Sequence, residues 1–429
     1  MLEAIVQALK GNKKVHDWQI RKVRTVQHEL YLIGESVESE RSVLAETAAV
    51  ILYHDRDGKR GSSTLTFVPG ELHDCAARID RAVYMASLAG NPPHALSGPF
   101  VQPDVRVRDA ALAERPGETI EGWRGALLST VKSEPKVRLS AAEFFVYDDQ
   151  IEFLNSQGAA YSYPATRAFM EFVLVSRDEG IESENYHSLR VRSAADVDMA
   201  AVAGERAAFA RDMLRVSVPR TQTGPVVITG ESLGNLFYPF FSRADAQSLY
   251  RGIFKTKVGD SLLNQDVKGD GLDLSIDRTI PFGTGSAPAD GEGLPAQRVE
   301  ILKGGRVRSI MATKRFADYL GIAATGTSGN TVVGPGTASE GELFQGPVIQ
   351  LVSFADLRAN PVTGEFVSEI RLGYEIGADG TKRPLKGGSV AGNVLDAFCD
   401  CWMSRETMKS GDYHGPRSIR FSKLVISGE

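Results

Sequence analysis

The residues of this chain best spaced for chemistry are Gly230-Glu231-Ser232-Leu233-Gly234. This G-x-S-x-G follows a short apolar strand, Val226–Thr229, and precedes a predicted helix, Glu231–Phe241, which is the setting of a nucleophile elbow. In that reading Ser232 attacks an acyl carbon after giving its proton to a histidine that a carboxylate orients. Chain order allows it, because Asp396, Asp400 and His414 all lie downstream. The same letters also make an ordinary helix start, with Ser232 or Glu231 capping and the glycines turning the chain. His414 is the only histidine after Ser232, and the chain beyond it lacks the alternating strands and helices of an α/β-hydrolase. The helix start is the stronger reading. A serine hydrolase built on Ser232 and His414 stands as the alternative.

Metal chemistry needs ligands at fixed spacing, and this chain does not supply it. A zincin sets two histidines one helical turn apart with a glutamate beside the first. His28-Glu29 begins such a pattern, but Leu32 and Ile33 stand where the second histidine belongs. Cys399 and Cys401 are two apart on a predicted helix, so their side chains diverge, and buried reduced thiols are expected. Asp266, Asp270, Asp273 and Asp277 lack the order of a calcium loop. Gly283-Thr284-Gly285 and Gly304-Gly305 lack the lysine of a phosphate loop. The chain itself is therefore expected to hold neither metal nor cofactor.

Composition narrows the classes further. A length of 429 residues exceeds one ordinary core, and 42% hydrophobic with 24% charged residues is the balance of a globular protein. The formal charge is -5, from 49 basic and 54 acidic residues, with no basic block to attract phosphates. Three cysteines argue for a reducing compartment, and the first residues lack the long apolar region of a signal peptide. No apolar run approaches the roughly 20 residues that span a bilayer. The expected location is the cytoplasm, with neither nucleic acid nor membrane as a partner.

The elements that must position any site segregate instead of alternating, which predicts an α+β fold. Strands are read at Val23–Ile33, Ser42–His54 and Ser62–Val68, the last two joined by a turn at Asp55-Arg56-Asp57-Gly58. Leu72, Cys75, Ala76, Ile79, Val83 and Ala86 form one helical stripe that stops at Gly90-Asn91-Pro92-Pro93. Further helices are expected at Thr119–Lys132, Ala194–Leu214 and Lys314–Leu320, and near Val390–Met403. Strands are expected at Lys136–Tyr147, Gln150–Asn155 and Arg167–Arg177, and Thr325–Gly341 reads as an irregular loop. The predicted division is an N-terminal helix-and-sheet domain over residues 1–190, a helix and linker over 191–224, and a mostly antiparallel β domain over 225–429. The second half is organised around the Gly- and Asp-rich stretch Leu262–Ile310, answered downstream by Asn360–Asn393.

Within those two stretches, Ser275-Ile276-Asp277, Asp290-Gly291-Glu292-Gly293 and Ile301–Val307 follow one another in an order that resembles the TldD/PmbA family. Asn360-Pro361-Val362-Thr363-Gly364-Glu365-Phe366 is similar to that family's N-x-x-T-G-x-F signature, and Ala317–Gly326, Ala391-Gly392-Asn393 and Leu424–Gly428 complete the set. In the family's catalytic branch, TldD, the helix opening the second half carries H-E-x-x-x-H zinc ligands, with a cysteine near the C-terminus. Here that helix is ESLGNLFYPFF without a histidine, and Lys409–Pro416 holds His414 but no cysteine. The resemblance is therefore to the PmbA (TldE) branch. It implies a subunit without catalytic residues that pairs with a zinc-binding TldD-like peptidase, the zinc lying in the partner. It further implies substrates that are small or unfolded peptides, such as leader segments of modified peptides.

Such a subunit must contribute surface. Phe282, Asp290, Glu292, Leu294, Asn330, Val332 and Phe344, in and beside the glycine-rich loops, are the expected peptide or partner surface, either with the catalytic subunit or in a homodimer. A homo-oligomeric peptide-binding protein is the other alternative. The dispersed charge carries one direct expectation. In a fluorescence anisotropy titration at physiological salt, duplex DNA should show no binding tighter than about 1 μM, and tighter, steeply salt-dependent binding would contradict it.

Overall fold

The computed structural model describes residues 1–429 and places two sheet systems side by side. The first is six-stranded and antiparallel: β1 (Asp17–Ile33), β2 (Ser36–Arg56), β3 (Lys59–Phe67), β4 (Val137–Asn155), β5 (Ala160–Asp178) and β6 (Ile181–Val191), in the order β3-β2-β1-β4-β5-β6. The β2–β3 turn forms where the sequence demanded positive φ, at Asp57 (53°) and Gly58 (73°). Helices cover one face. Ile5 and Leu9 of α1 (Leu2–Gly11) and Ile79 and Val83 of α2 (Cys75–Ser87) pack over Trp18, Val50 and Leu52. After α3 (Ala110–Glu114), Leu127 and Val131 of α4 (Pro116–Ser133) cover Phe144, Phe172 and Leu174 together with α5 (Met199–Asp212). The contact face of α5 is Ala203, Ala207 and Ala210, all fully buried, so the helix lies close enough for the Ser176 hydroxyl to donate to the Ala210 carbonyl at 2.6 Å.

The second half holds thirteen further strands. In chain order they are β7 (Gln222–Thr229), β8 (Leu274–Asp277), β9 (Arg298–Lys303), β10 (Arg306–Val307), β11 (Asn330–Val333), β12 (Val348–Phe354) and β13 (Glu365–Ile376). They continue with β14 (Lys382–Leu385), β15 (Ser389–Asn393), β16 (Cys401–Met403), β17 (Thr407–Ser410), β18 (Tyr413–Pro416) and β19 (Ser418–Ser427). One sheet runs β10-β9-β8-β11-β18-β17. The other runs β12-β7-β19-β15-β13-β14, and because β12 also pairs β13 the middle strands close into a ring. Between the two lies one core of 38 buried residues, with Phe237, Phe240, Phe398 and Phe421 at its centre. The fold is α+β, and no helix is long and apolar enough to cross a membrane.

Three local expectations differ from the structure. Lys136–Tyr147 and Gln150–Asn155 are one strand, because the carboxylates that suggested a break are held in register: Asp148 by Arg108, Asp149 by Arg167 and Thr25. Val390–Met403 is not a helix. Ring closure forces Ser389–Asn393 to pair with β13 and β19, and only a single turn follows at Val394–Ala397. Thr325–Gly341 contains β11, whose partners Leu274–Asp277 and Tyr413–Pro416 are far away in sequence.

The halves meet through the glycine-rich loops. Arg278 and Asp290 form a buried ion pair at 3.6 Å, their side chains 3% and 8% exposed. Arg278 Nε also donates to the Ser328 carbonyl, and Asp290 Oδ1 accepts from the backbone of Glu292 and Leu294. The loop so fixed gives its Asp290 carbonyl to the Tyr161 hydroxyl of β5. Gly326, at φ 75°, leaves its Cβ position to the Arg278 guanidinium. Removing one member of a buried pair leaves the other uncompensated, so Arg278→Ala should cost about 3–5 kcal/mol in urea unfolding. Gly326→Ala should destabilise too, by on the order of 2 kcal/mol or more. Unchanged midpoints for both would show that the pair does not hold the loops.

Candidate functional site

β6 is the last strand of the first sheet and β17 the last strand of the second, and no ladder joins them. Between these two edges lies a cleft made of two adjoining cavities, about 390 and 610 Å³, that share Ser188, Arg190, Glu231, Ser410 and Gly411. Its floor is the start of the second half. Gly230, at φ 96° and ψ -158°, ends β7 in a conformation open only to glycine and turns the chain into the helical stretch Glu231–Phe237. That turn aims Glu231 at the first sheet, where its Oε1 lies 3.7 Å from His187 Nδ1 and 4.0 Å from Arg206 Nη1. Burial pushes the Glu231 carboxyl up, but His187 and the charge of Arg206 outweigh it and hold the group below the usual carboxylate range. The β17–β18 turn, with Gly411 at φ 57°, forms the opposite wall.

The structure does not join the members of the serine-hydrolase alternative by hydrogen bonds. Ser232 does line the polar cavity, yet it is not among the residues with positive φ, as the strained serine of an elbow is. His414 stands on β18 opposite Lys409 and Val332, with no hydrogen bond to Ser232 and its Nε2 buried without a partner. Burial, reinforced by Lys409, pushes that imidazole below the usual histidine range. The result is a chain reversal made by Gly230, which neither Ser232 nor Glu231 caps as the sequence had suggested, and a packed histidine.

The expected partner surface is largely folded inward. Asn330 is fully buried: its Oδ1 accepts from Gly285, and its Nδ2 donates to the Asp277 carbonyl and to Ser286. Asp290 is the buried partner of Arg278. Leu294 is 9% exposed, and Glu292 accepts from the Lys314 backbone at 2.6 Å while burial raises its carboxyl. Phe282 is half-buried at φ 55°, its N–H donating to the Arg106 carbonyl and its ring facing the Arg106 guanidinium. Val332 is half-buried within β11, and Phe344 is half-buried beside Lys382. The loops therefore spend their polar groups within this chain, mostly on one another and in part on the first half, where Arg192 binds the Gly283 and Thr284 carbonyls. Sequence reading overlooked β6 and with it His187, Ser188 and Arg190. The signal was weak because the inward residues of β6 are Ser183, Asn185 and His187, polar where alternation leads one to expect apolar.

The cleft does not suit zinc. It offers one imidazole, His187, and most of its carboxylates face cations: Glu231 and Glu205 lie by Arg206, and Asp196 lies 2.6 Å from Lys409. Nowhere in the chain do three His, Cys, Asp or Glu side chains converge on one point to hold a metal.

Residues 221–428 match the profile of the PmbA/TldA metallopeptidase C-terminal domain. The chain is 26% identical over 254 residues to the metalloprotease PmbA of Escherichia coli O157:H7, covering 57% of this chain and 55% of that protein. It is 25% identical over 213 residues to a zinc metalloprotease TldD homolog of Saccharolobus solfataricus, covering 44% and 45%. The chain thus spans about half the length of the curated relatives it matches. The crystal structure of TldE from Thermococcus kodakarensis superposes with a TM-score of 0.83 over 99% of this chain and 100% of that one, at 17% identity, a likeness of fold.

Two measurements follow from the donor set and the backbone at Ser232. Metal analysis of the purified, dialysed chain should find far less than one zinc per molecule, and about one retained zinc would contradict it. A fluorophosphonate probe should give no labelling that disappears on Ser232→Ala.

Proposed function

The chain belongs to the TldD/PmbA family, and from that premise we propose that it is a PmbA (TldE)-like subunit without catalytic residues of its own. It pairs with a zinc-binding TldD-like chain, and the pair hydrolyses small or unfolded peptides, leader segments of modified peptides among them, in the cytoplasm. One observation carries the reading. The cleft at the start of the second half, where the resemblance sets the catalytic branch's zinc ligands, is furnished here with a glutamate held by His187 and Arg206. A carboxylate whose pKa is held low by its contact with His187 and the charge of Arg206 is a poor general base, and no second imidazole stands within reach to bind metal. What remains for the chain is to shape and cover the path of a peptide. The exposed edges of β6 and β17 suit that task, because main-chain hydrogen bonding to an extended peptide tolerates many sequences.

The test is reconstitution. Co-expressed with a TldD-like chain, this protein should elute with it as one complex on size exclusion, with about one zinc per pair. The complex should cleave an unstructured peptide at least about tenfold faster than either chain alone. Replacing the histidines of the partner's H-E-x-x-x-H should abolish that activity, whereas Glu231→Gln in this chain should leave it within about threefold. No complex, or activity that resides in this chain alone, would overturn the proposal.

A further inference from the structure

The cleft contains charges of two kinds. Most are answered within the chain: Arg206 by Glu205 and Glu231, Lys409 by Asp196, and Arg417 by Glu340 at 3.8 Å. Two are not, Asp412 and Arg190, and Arg190 is the free cation. Arg190 is exposed, forms no ion pair, makes no side-chain hydrogen bond, and lines both cavities of the cleft. Its guanidinium is nevertheless positioned, over the Phe169 ring at 5.1 Å, a contact that leaves the N–H groups at the edge of the plane free. In the same cleft His187 is 3% exposed, and its Nδ1 makes no hydrogen bond, its nearest acid being Glu231 at 3.7 Å. The remaining uncompensated charge of the larger cavity, Asp412, is an acceptor on the β17–β18 turn.

Resting on the reading of this chain as a peptidase subunit, we infer that the cleft is a receptor for a peptide carboxylate, with Arg190 as its fork-shaped partner. A planar guanidinium with free paired N–H donors matches a carboxylate in two parallel bonds. The other lining groups of the larger cavity are small, polar or glycine, among them Ser188, Ser232, Thr284 and Gly285, which suit a main chain better than an apolar side chain. Asp412 accepts N–H groups of the same ligand and disfavours a bare multivalent anion such as phosphate. The carboxylate comes from the C-terminus or from an Asp or Glu side chain. The receptor therefore selects peptides by an acidic group and not by an apolar one.

The experiment uses the full chain alone, with fluorescein-labelled unstructured decapeptides in three forms. One has a free C-terminus and no acidic residue, one is the same peptide amidated, and one is amidated with a single central glutamate. The free-acid or the glutamate peptide should bind at least about tenfold tighter than the amidated one, which is the worth of a charge-assisted hydrogen bond, and the better of the two names the source. Arg190→Gln should erase the preference, and Arg190→Lys should restore part of it. Arg190 is exposed, so both variants should keep the wild-type melting temperature. Equal binding of all three peptides, no binding, or a preference that survives Arg190→Gln would overturn the inference. Pairing with the zinc-bearing chain is scored separately by size exclusion, so loss of the carboxylate preference with an intact complex leaves the subunit assignment standing. Failure to pair with the preference intact does the reverse.

Discussion

The buried Arg278–Asp290 pair is the constraint on which the arrangement of the two halves depends. An arginine removed from water needs a partner, and here the partner is carried by a loop that has no regular structure of its own. With the pair made, the Asp290 loop reaches the first sheet at Tyr161, and Gly293 packs against Phe153 and Ala159 with no room for a side chain. Asn330 acts on the neighbouring loop, drawing Gly285 and Ser286 onto β8 and β11. The glycines in these loops are close-approach glycines: Gly285 and Gly329 lie against each other, and Gly326 lies against Arg278.

The cleft is a consequence of that docking. Once the loops are pinned, the edge of β6 and the edge of β17 face each other without pairing, and Thr284 and Gly285 become part of the wall. Unpaired strand edges invite further strands, and both of these edges are exposed between the two halves. In the role proposed for it, the cleft would draw its selectivity from the few side chains that stand free in it, and Arg190 is the foremost of these.

How much of this was readable from the letters follows from where the information lies. Asp57-Gly58, the stripe of α2 and the helix Lys314–Leu320 are set by φ preferences and local periodicity, and these elements stand where the letters put them. The strands Asn330–Val333 and Ser389–Asn393 are set by pairings between distant segments, so local patterns gave no sign of them. The edge β6 is a local hairpin with β5 through the Glu179-Gly180 turn, and it was masked because it buries Ser183, Asn185 and His187. The glycine-rich loops read as surface because they are polar. They are buried because their polar groups satisfy one another, which composition cannot reveal. Absence of metal-ligand spacing was legible directly; the groups that face Glu231 were not, since Arg206 and His187 belong to the other half.

The central claim is that the cleft between β6 and β17 serves an extended peptide within a two-chain peptidase. Hydrogen exchange resolved to single amides tests it most directly. The chain is measured in complex with a zinc-bearing TldD-like partner made inactive at its metal-ligating histidines, with and without a saturating unstructured peptide. Exchange should slow along Ser188–Val191 and Thr407–Asp412 when peptide is added, with the buried Arg278–Asp290 loop unchanged. Protection confined to other surfaces, with both edges exchanging as before, would contradict it.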